Sequence, residues 1–168
     1  MSRVLVTETL SPDGLAVLAD CCQVDVRPKL TPAELMDLLP AYDALIVRSA
    51  TQVTADVLAA GTRLQVVGRA GTGVDNIDVE AATRRGIVVV NAPTSNTIAV
   101  AEHTMALMLA LARHICEANS GLHEGRWEKQ RLMGTELRGK TLGLVGLGRV
   151  GQAVATRARA MDRRVVAY

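Results

Sequence analysis

Three short stretches carry residue types whose spacing fits chemistry on anions. The first is Gly146-Leu147-Gly148-Arg149-Val150-Gly151. An apolar run at 142–145 leads into it, a helix-like segment at 149–161 follows, and a second apolar run closes the sequence at 164–168. Strand, glycine turn, helix and strand in that order open a dinucleotide-binding unit. Gly146 permits the tight turn, Gly148 lets a pyrophosphate reach the backbone, and Gly151 lets the helix pack closely on the strand. The helix N-terminus near Arg149 turns its partial positive charge toward the phosphates. The acidic residue that would hold the ribose is expected roughly 20 positions after the glycines, just past residue 168. The cofactor cradle is therefore expected to be only half present.

The second and third stretches are Arg48-Ser49-Ala50 and Arg69-Ala70-Gly71-Thr72-Gly73-Val74-Asp75. Each ends an apolar, β-branched run. An arginine there presents a planar fork to a carboxylate or phosphate. Gly71 and Gly73 let backbone N–H groups approach an anion closely. Alone, Arg48 reads equally as a surface arginine; paired with the glycine loop it sketches an anion-binding crevice. His103 stands next to Glu102, but neighbours at i and i+1 do not face each other on a helix, so a structural or interface role is expected. The cluster Arg126, Lys129 and Arg131 reads as a solvated loop face or a reach into an anion site. Arg157, Arg159, Arg163 and Arg164 read as a solvated helix face.

The elements that must position these groups are legible. Strands are expected at 4–7, 23–27, 44–48, 64–69 and 87–91, and three of them lack polar alternation, as buried parallel strands do. Ser11 before Pro12 marks a helix start, as do the capping box Thr31-Pro32-Ala33-Glu34, Thr54 before 55–60 and Asp78 before 79–85. Five βα units of this spacing predict a doubly wound α/β domain over 1–92. In open parallel sheets, ligands bind beyond the carboxyl ends of the strands, which selects four places: the second and third stretches, Thr7-Glu8 after the first strand and Asn91-Ala92-Pro93 after the fifth. Pro93 breaks the pattern. One long helix is predicted over 97–117, apolar nearly all round and so buried or at an interface. A polar loop at 121–139 and the dinucleotide unit complete a second region, 93–168.

Bulk composition narrows the function classes. Of the 168 residues, 49% are hydrophobic and 21% charged, so a packed core is expected and disorder is not. Phe is absent, which makes the core aliphatic. A net charge of +2 without basic runs gives no reason to expect a nucleic-acid partner. The apolar run at 105–112 is far shorter than the ~20 residues that span a bilayer, and the N-terminal run is too short for a signal peptide. The cysteines Cys21, Cys22 and Cys116 show no metal spacing and are expected to be buried or inert thiols in a reducing, cytoplasmic compartment.

The runs Val47-Arg48-Ser49-Ala50-Thr51, 67–76, Glu80-Ala81-Ala82-Thr83, Asn91-Ala92-Pro93, Trp127-Glu128, 134–137 and 139–151 together resemble the D-isomer-specific 2-hydroxyacid dehydrogenases, across essentially the whole chain and in order. Within them the likeness is to the branch that oxidises D-3-phosphoglycerate to 3-phosphohydroxypyruvate with NAD, the first step of serine biosynthesis. The resemblance implies a flavodoxin-like substrate domain followed by the beginning of a Rossmann NAD-binding domain, and a homodimer or higher oligomer through the 97–117 helix. It places Arg48, Ser49, Gly73, Val74, Asn96 and Lys129 at the substrate. Thr72, Gly146, Gly148, Arg149, Val150 and Gly151 fall at the cofactor. The family's catalytic Arg, Glu and His map to no residue here, so the chain is expected to be an N-terminal part, inactive alone. Alternatives are another member such as a hydroxypyruvate reductase, or a non-catalytic module that binds an acid or dimerises.

Overall fold

The computed structural model describes all residues, Met1–Tyr168. They form two compact units, Met1–Ser95 and Asn96–Tyr168.

The first unit alternates strands β1 (Arg3–Val6), β2 (Gln23–Val26), β3 (Ala44–Val47), β4 (Val66–Arg69) and β5 (Val88–Asn91) with helices α1 (Pro12–Ala19), α2 (Pro32–Leu38), α3 (Ala55–Ala60) and α4 (Val79–Arg84). All strand pairs are parallel, in the order β2-β1-β3-β4-β5. This is the doubly wound, flavodoxin-like order, and its direction reverses between β1 and β3. Right-handed crossovers then send α1 to one face and α2, α3 and α4 to the other. Leu5, Leu45 and Val67 stand side by side across the sheet and are fully buried. They pack with Leu35, Leu39, Val57, Leu58, Ala81 and Ala82 from the helical layer. The core is aliphatic apart from Tyr42.

The helix starts follow from their caps. Ser11 accepts the N–H of Gly14, Thr54 that of Val57 and Asp78 that of Ala81. At Thr31 the capping box is closed in both directions: the Glu34 N–H meets Thr31 Oγ1, and Glu34 Oε2 accepts the Thr31 N–H at 2.8 Å. Thr31→Ala therefore should cost about 1 kcal/mol, measurable as a lower urea midpoint for the first unit. An unchanged midpoint would show that the cap is not felt. One element was not expected from the sequence, a 3₁₀ turn at Leu39–Ala41, where Pro40 removes the N–H that would have continued α2.

The second unit contains α5 (Thr97–Ala112), α6 (Ile115–His123), β6 (Thr141–Leu144), α7 (Arg149–Ala160) and β7 (Arg164–Ala167). Strands β6 and β7 pair in parallel. Ala101 and Met105 of α5 pack against Val154 and Ala158 of α7 to make its core.

Several expectations are corrected here. The single helix predicted over 97–117 is two helices, bent by 64°. His114 sits in the left-handed region at φ 52°. The Ala112 carbonyl is taken by the N–H of Thr135 at 2.8 Å, from a distant loop, instead of by the next helical turn. Gly134 allows that approach, since a Cβ there would lie 2.4 Å from the same oxygen. The polar loop begins after His123, because Gly121 is a buried residue within α6. Of the two readings of the long helix, buried or at an interface, full burial fails: Ile98, Leu107, Leu111 and Ile115 are each more than half exposed. The four arginines are not one solvated face. Arg157 reaches Glu102 at 3.2 Å, Arg163 packs on the Met108 sulfur, and Arg164 begins β7. Arg126 and Arg131 are exposed but pair with Glu124, Glu128 and Glu117. His114, which shows no partner in the sequence pattern, lies 3.7 Å from Glu117. The cysteines are free, but Cys21 and Cys116 are exposed rather than buried.

Candidate functional site

The carboxyl ends of β1 and β3 flank the switch point of the first sheet, those of β4 and β5 follow along the same edge, and polar side chains tie them together. Glu8, just past β1, reaches across to the turn after β3. Its Oε1 accepts the N–H groups of Arg48 (2.8 Å) and Thr51 (3.0 Å), and its Oε2 accepts that of Ala50 (3.2 Å). From the other side, buried Asn76 donates through Nδ2 to the carbonyls of Arg48 (2.8 Å) and Thr51 (2.6 Å). The Arg69 side chain, 13% exposed, donates to the Arg48 carbonyl at 3.3 Å and pairs with Asp75 at 2.8 Å. Asn91, at the end of β5, donates to the Thr72 carbonyl at 2.7 Å. The Thr7 and Thr51 hydroxyls are 2.8 Å apart.

These bonds bring the two predicted stretches into one place. The Arg48–Thr51 turn and the 71–75 loop share Arg69 and Asn76 as common supports. A Cβ at Gly73 would lie 2.9 Å from the Arg69 guanidinium and 3.0 Å from the Asp75 carboxylate, so a side chain there would displace the ends of that ion pair. Arg48 and Ser49 are exposed, and Thr72, Gly73 and Val74 are half-buried. A cavity of about 360 Å³ opens beside the turn, with Glu8, Lys29 and Arg48 on its wall. Two cations face one carboxylate there, so the cavity favours an anion.

Sequence reasoning placed Glu8 among the strand ends where a ligand binds but gave it no role, and it missed Asn76 and Lys29. Lys29 follows Pro28 in the turn after β2 and takes φ 64°. Glu8 and Asn76 act across 25 to 43 residues, a separation that no local spacing records.

The carboxylates of this unit are tuned by their partners. Partial burial pushes Glu8 up, but the N–H groups of Thr51, Arg48 and Ala50 outweigh it and hold its pKa below the ordinary value. The Tyr42 hydroxyl and Arg3 lower Asp25, and the Arg3 N–H and Arg63 lower Asp43. Groups depressed in the fold contribute stability above their unfolded pKa values, about 3.9 for Asp and 4.3 for Glu, and lose it as pH falls through the lower folded values. The first unit should therefore melt at progressively lower temperature from about pH 4.3 downward. A melting temperature flat between pH 5 and 3 would contradict these assignments.

The second unit carries the other predicted residues. Gly146 takes φ +96°, the left-handed turn that glycine permits. A Cβ on Gly151 would lie 2.4 Å from the Gly146 carbonyl oxygen, so the helix packs on the turn only without a side chain. Above Gly148 there is open space. Gly148 caps α7 with no side chain over its first turn, and the 12-residue helix begins at Arg149 and Val150. This is a cradle of fitting shape for a pyrophosphate on a helix N-terminus. Asn96 is the exposed N-cap of α5, without a side-chain cap bond. Lys129 is exposed in the turn after α6, beside Trp127 on the wall of a 190 Å³ cavity. His103 is exposed. No group of three or more His, Cys, Asp or Glu residues is placed to hold a metal ion.

A flavodoxin-like unit with an anion crevice at its switch point, joined to a βαβ unit with a glycine cradle, defines a class. The chain belongs to the D-isomer specific 2-hydroxyacid dehydrogenases: the profile of their catalytic domain matches residues 4–166. Among individual relatives, it is 52% identical over 168 residues to the D-3-phosphoglycerate dehydrogenase of Synechocystis sp., covering all of this chain and 30% of that protein. Its structure superposes on a Thermus thermophilus protein with a TM-score of 0.90 at 40% identity, over 98% of this chain and 55% of the other. The NAD+-bound 3-phosphoglycerate dehydrogenase of Entamoeba histolytica matches with a TM-score of 0.78 at 25% identity, over 99% of this chain and 53% of that one. The chain thus spans about a third of the length of the curated relatives it matches.

Proposed function

We propose that this chain supplies the substrate-anion side and part of the cofactor cradle of an NAD-dependent D-3-phosphoglycerate dehydrogenase. The observation that carries the reading is the switch-point crevice, where the Arg48–Thr51 turn and the 71–75 loop are braced against each other by Asn76 and Arg69. In this reading the Arg48 guanidinium and Ser49 bind the substrate phosphate or carboxylate. The Gly73–Val74 backbone offers N–H groups to the carboxylate, and Thr72 meets the cofactor. Asn96 and Lys129 are proposed as further polar contacts to the substrate.

Gly146, Gly148 and Gly151 shape the cradle, and the N–H groups of Arg149 and Val150 receive the pyrophosphate of NAD. When bound, NAD takes up the hydride removed from the substrate carbinol. The residues here bind and orient. The proton-transferring His–Glu pair of the family has no counterpart among them, and His103 does not stand in for it.

The reading is tested by calorimetry on the 168-residue protein with D-3-phosphoglycerate, D-glycerate and hydroxypyruvate. Tighter binding of the phosphorylated acid supports it. Preference for hydroxypyruvate would point instead to a reductase of the same family.

The exposed apolar residues of α5 and α6 support a second copy of this chain as partner, as does exposed Trp127. Leu111, 81% exposed, lies in this patch. Leu111→Glu should shift a dimer toward monomer in light scattering, with the circular dichroism spectrum unchanged. A dimer that persists in the variant would move the interface elsewhere. The free cysteines fit a reducing compartment, and the cytoplasm is the location proposed.

A further inference from the structure

The turn that carries Arg48 and Ser49 has an unusual division of its backbone groups. Of the four N–H groups from Arg48 to Thr51, three are directed to the Glu8 carboxylate. The Arg48 and Thr51 carbonyls are held by Asn76, and the Arg48 carbonyl also by Arg69. The Ser49 N–H takes no part in these bonds, and Ser49 itself is exposed. Successive N–H groups that converge on one carboxylate form a nest, the arrangement that binds anions. Here an internal anion fills that nest.

Glu8 does so although two cations share its cavity, Lys29 after β2 and Arg48 after β3. Its three bonds go to backbone N–H groups, and the Arg48 guanidinium turns to the Thr9 carbonyl, 3.4 Å away. No other titratable side chain lines the cavity. Both positive charges thereby remain available to an anion from outside.

We propose that Glu8 is the positioning residue of the anion site: its carboxylate locks the 48–51 turn in the conformation that leaves the Ser49 N–H and the Arg48 guanidinium for the substrate. The proposal rests on the function proposed above, because it assumes that the crevice takes a phosphorylated or carboxylated hydroxy acid. It goes further by placing the control of that site on a residue that does not touch the ligand. The depressed pKa of Glu8 agrees, since a carboxylate held by several N–H groups resists protonation.

Glu8→Gln is the informative substitution. It preserves shape and one acceptor oxygen, but turns an amide N–H₂ toward an N–H donor where Oε2 was. Binding of D-3-phosphoglycerate at pH 7.5 should weaken at least about tenfold, the effect of one lost charge-assisted bond. Glu8→Asp, which retains the charge, should recover part of it.

A second readout needs no variant. In ¹H–¹⁵N spectra of the wild-type protein, the amide signals of Arg48, Ala50 and Thr51 should shift together on one titration curve, centred below the ordinary glutamate value of about 4.3. That curve should vanish in Glu8→Gln. Unaltered affinity in Glu8→Gln, or three amides that titrate independently, would overturn the proposal. If the wild-type protein itself fails to bind D-3-phosphoglycerate, the functional reading fails, and the shared amide titration still decides whether Glu8 holds the turn.

Discussion

Arg48→Ala is expected to weaken D-3-phosphoglycerate binding by about tenfold to a hundredfold, the range for removing a hydrogen bond to a charged group. The turn itself is held through its backbone by Glu8, Asn76 and Arg69, so losing the exposed Arg48 side chain should leave the fold intact. The melting temperature should stay within about a degree, because surface substitutions away from special features cost little. Arg48→Lys separates charge from geometry. Lysine keeps the charge but loses the planar fork, so an intermediate affinity is expected. Equal affinity in wild type and Arg48→Ala, measured by calorimetry, would remove Arg48 from the site.

The second large effect is expected at Gly151. A Cβ there lies 2.4 Å from the Gly146 carbonyl oxygen, and the obstacle is backbone, which cannot swing aside as a long side chain does. Gly151→Ala must push α7 away from the glycine turn. Overpacking of this kind costs about 1–3 kcal/mol, and it falls on the turn proposed to cradle the pyrophosphate. Two outcomes are expected together. The second unit should unfold at lower urea concentration, and NAD should no longer perturb the amide signals of residues 146–151. The first unit has its own sheet and core, so D-3-phosphoglycerate should still bind. A variant that keeps both its stability and its NAD response would show that the close approach at Gly151 is not required.

Much of the architecture was legible because its determinants are local. Ser11, Thr31, Thr54 and Asp78 each cap the helix they announce, since a capping side chain needs only the N–H groups of the next turn. The five strands and the βαβ unit followed from apolar runs and glycine spacing, to within a residue or two at their ends.

The failures were tertiary. The bend at His114 is invisible in the apolar pattern, which runs on without a phase break. At the bend the Ala112 carbonyl is taken by Thr135, from a loop more than 20 residues away. The apolar pattern around Leu107 and Leu111 left burial and an interface both open, and their exposure leaves the second, an apolar face that awaits a partner. At the crevice, Arg48 and the 71–75 loop could be found because strand ends and glycines mark them. The strand-end rule reached Glu8 as well but not its role, because an acidic residue beside an anion crevice reads as the wrong charge until its three N–H partners are seen.

The central claim is that one short turn and one glycine loop form a site for a phosphorylated hydroxy acid, while a separate glycine turn holds the cofactor. The most direct measurement is a ¹H–¹⁵N titration of the 168-residue protein with D-3-phosphoglycerate and, separately, with NAD. The expected result is that the acid shifts the amides of residues 48–51 and 71–75, and that NAD shifts those of residues 146–151. Acid-induced shifts confined to other residues, or none at saturating concentration, would contradict the account.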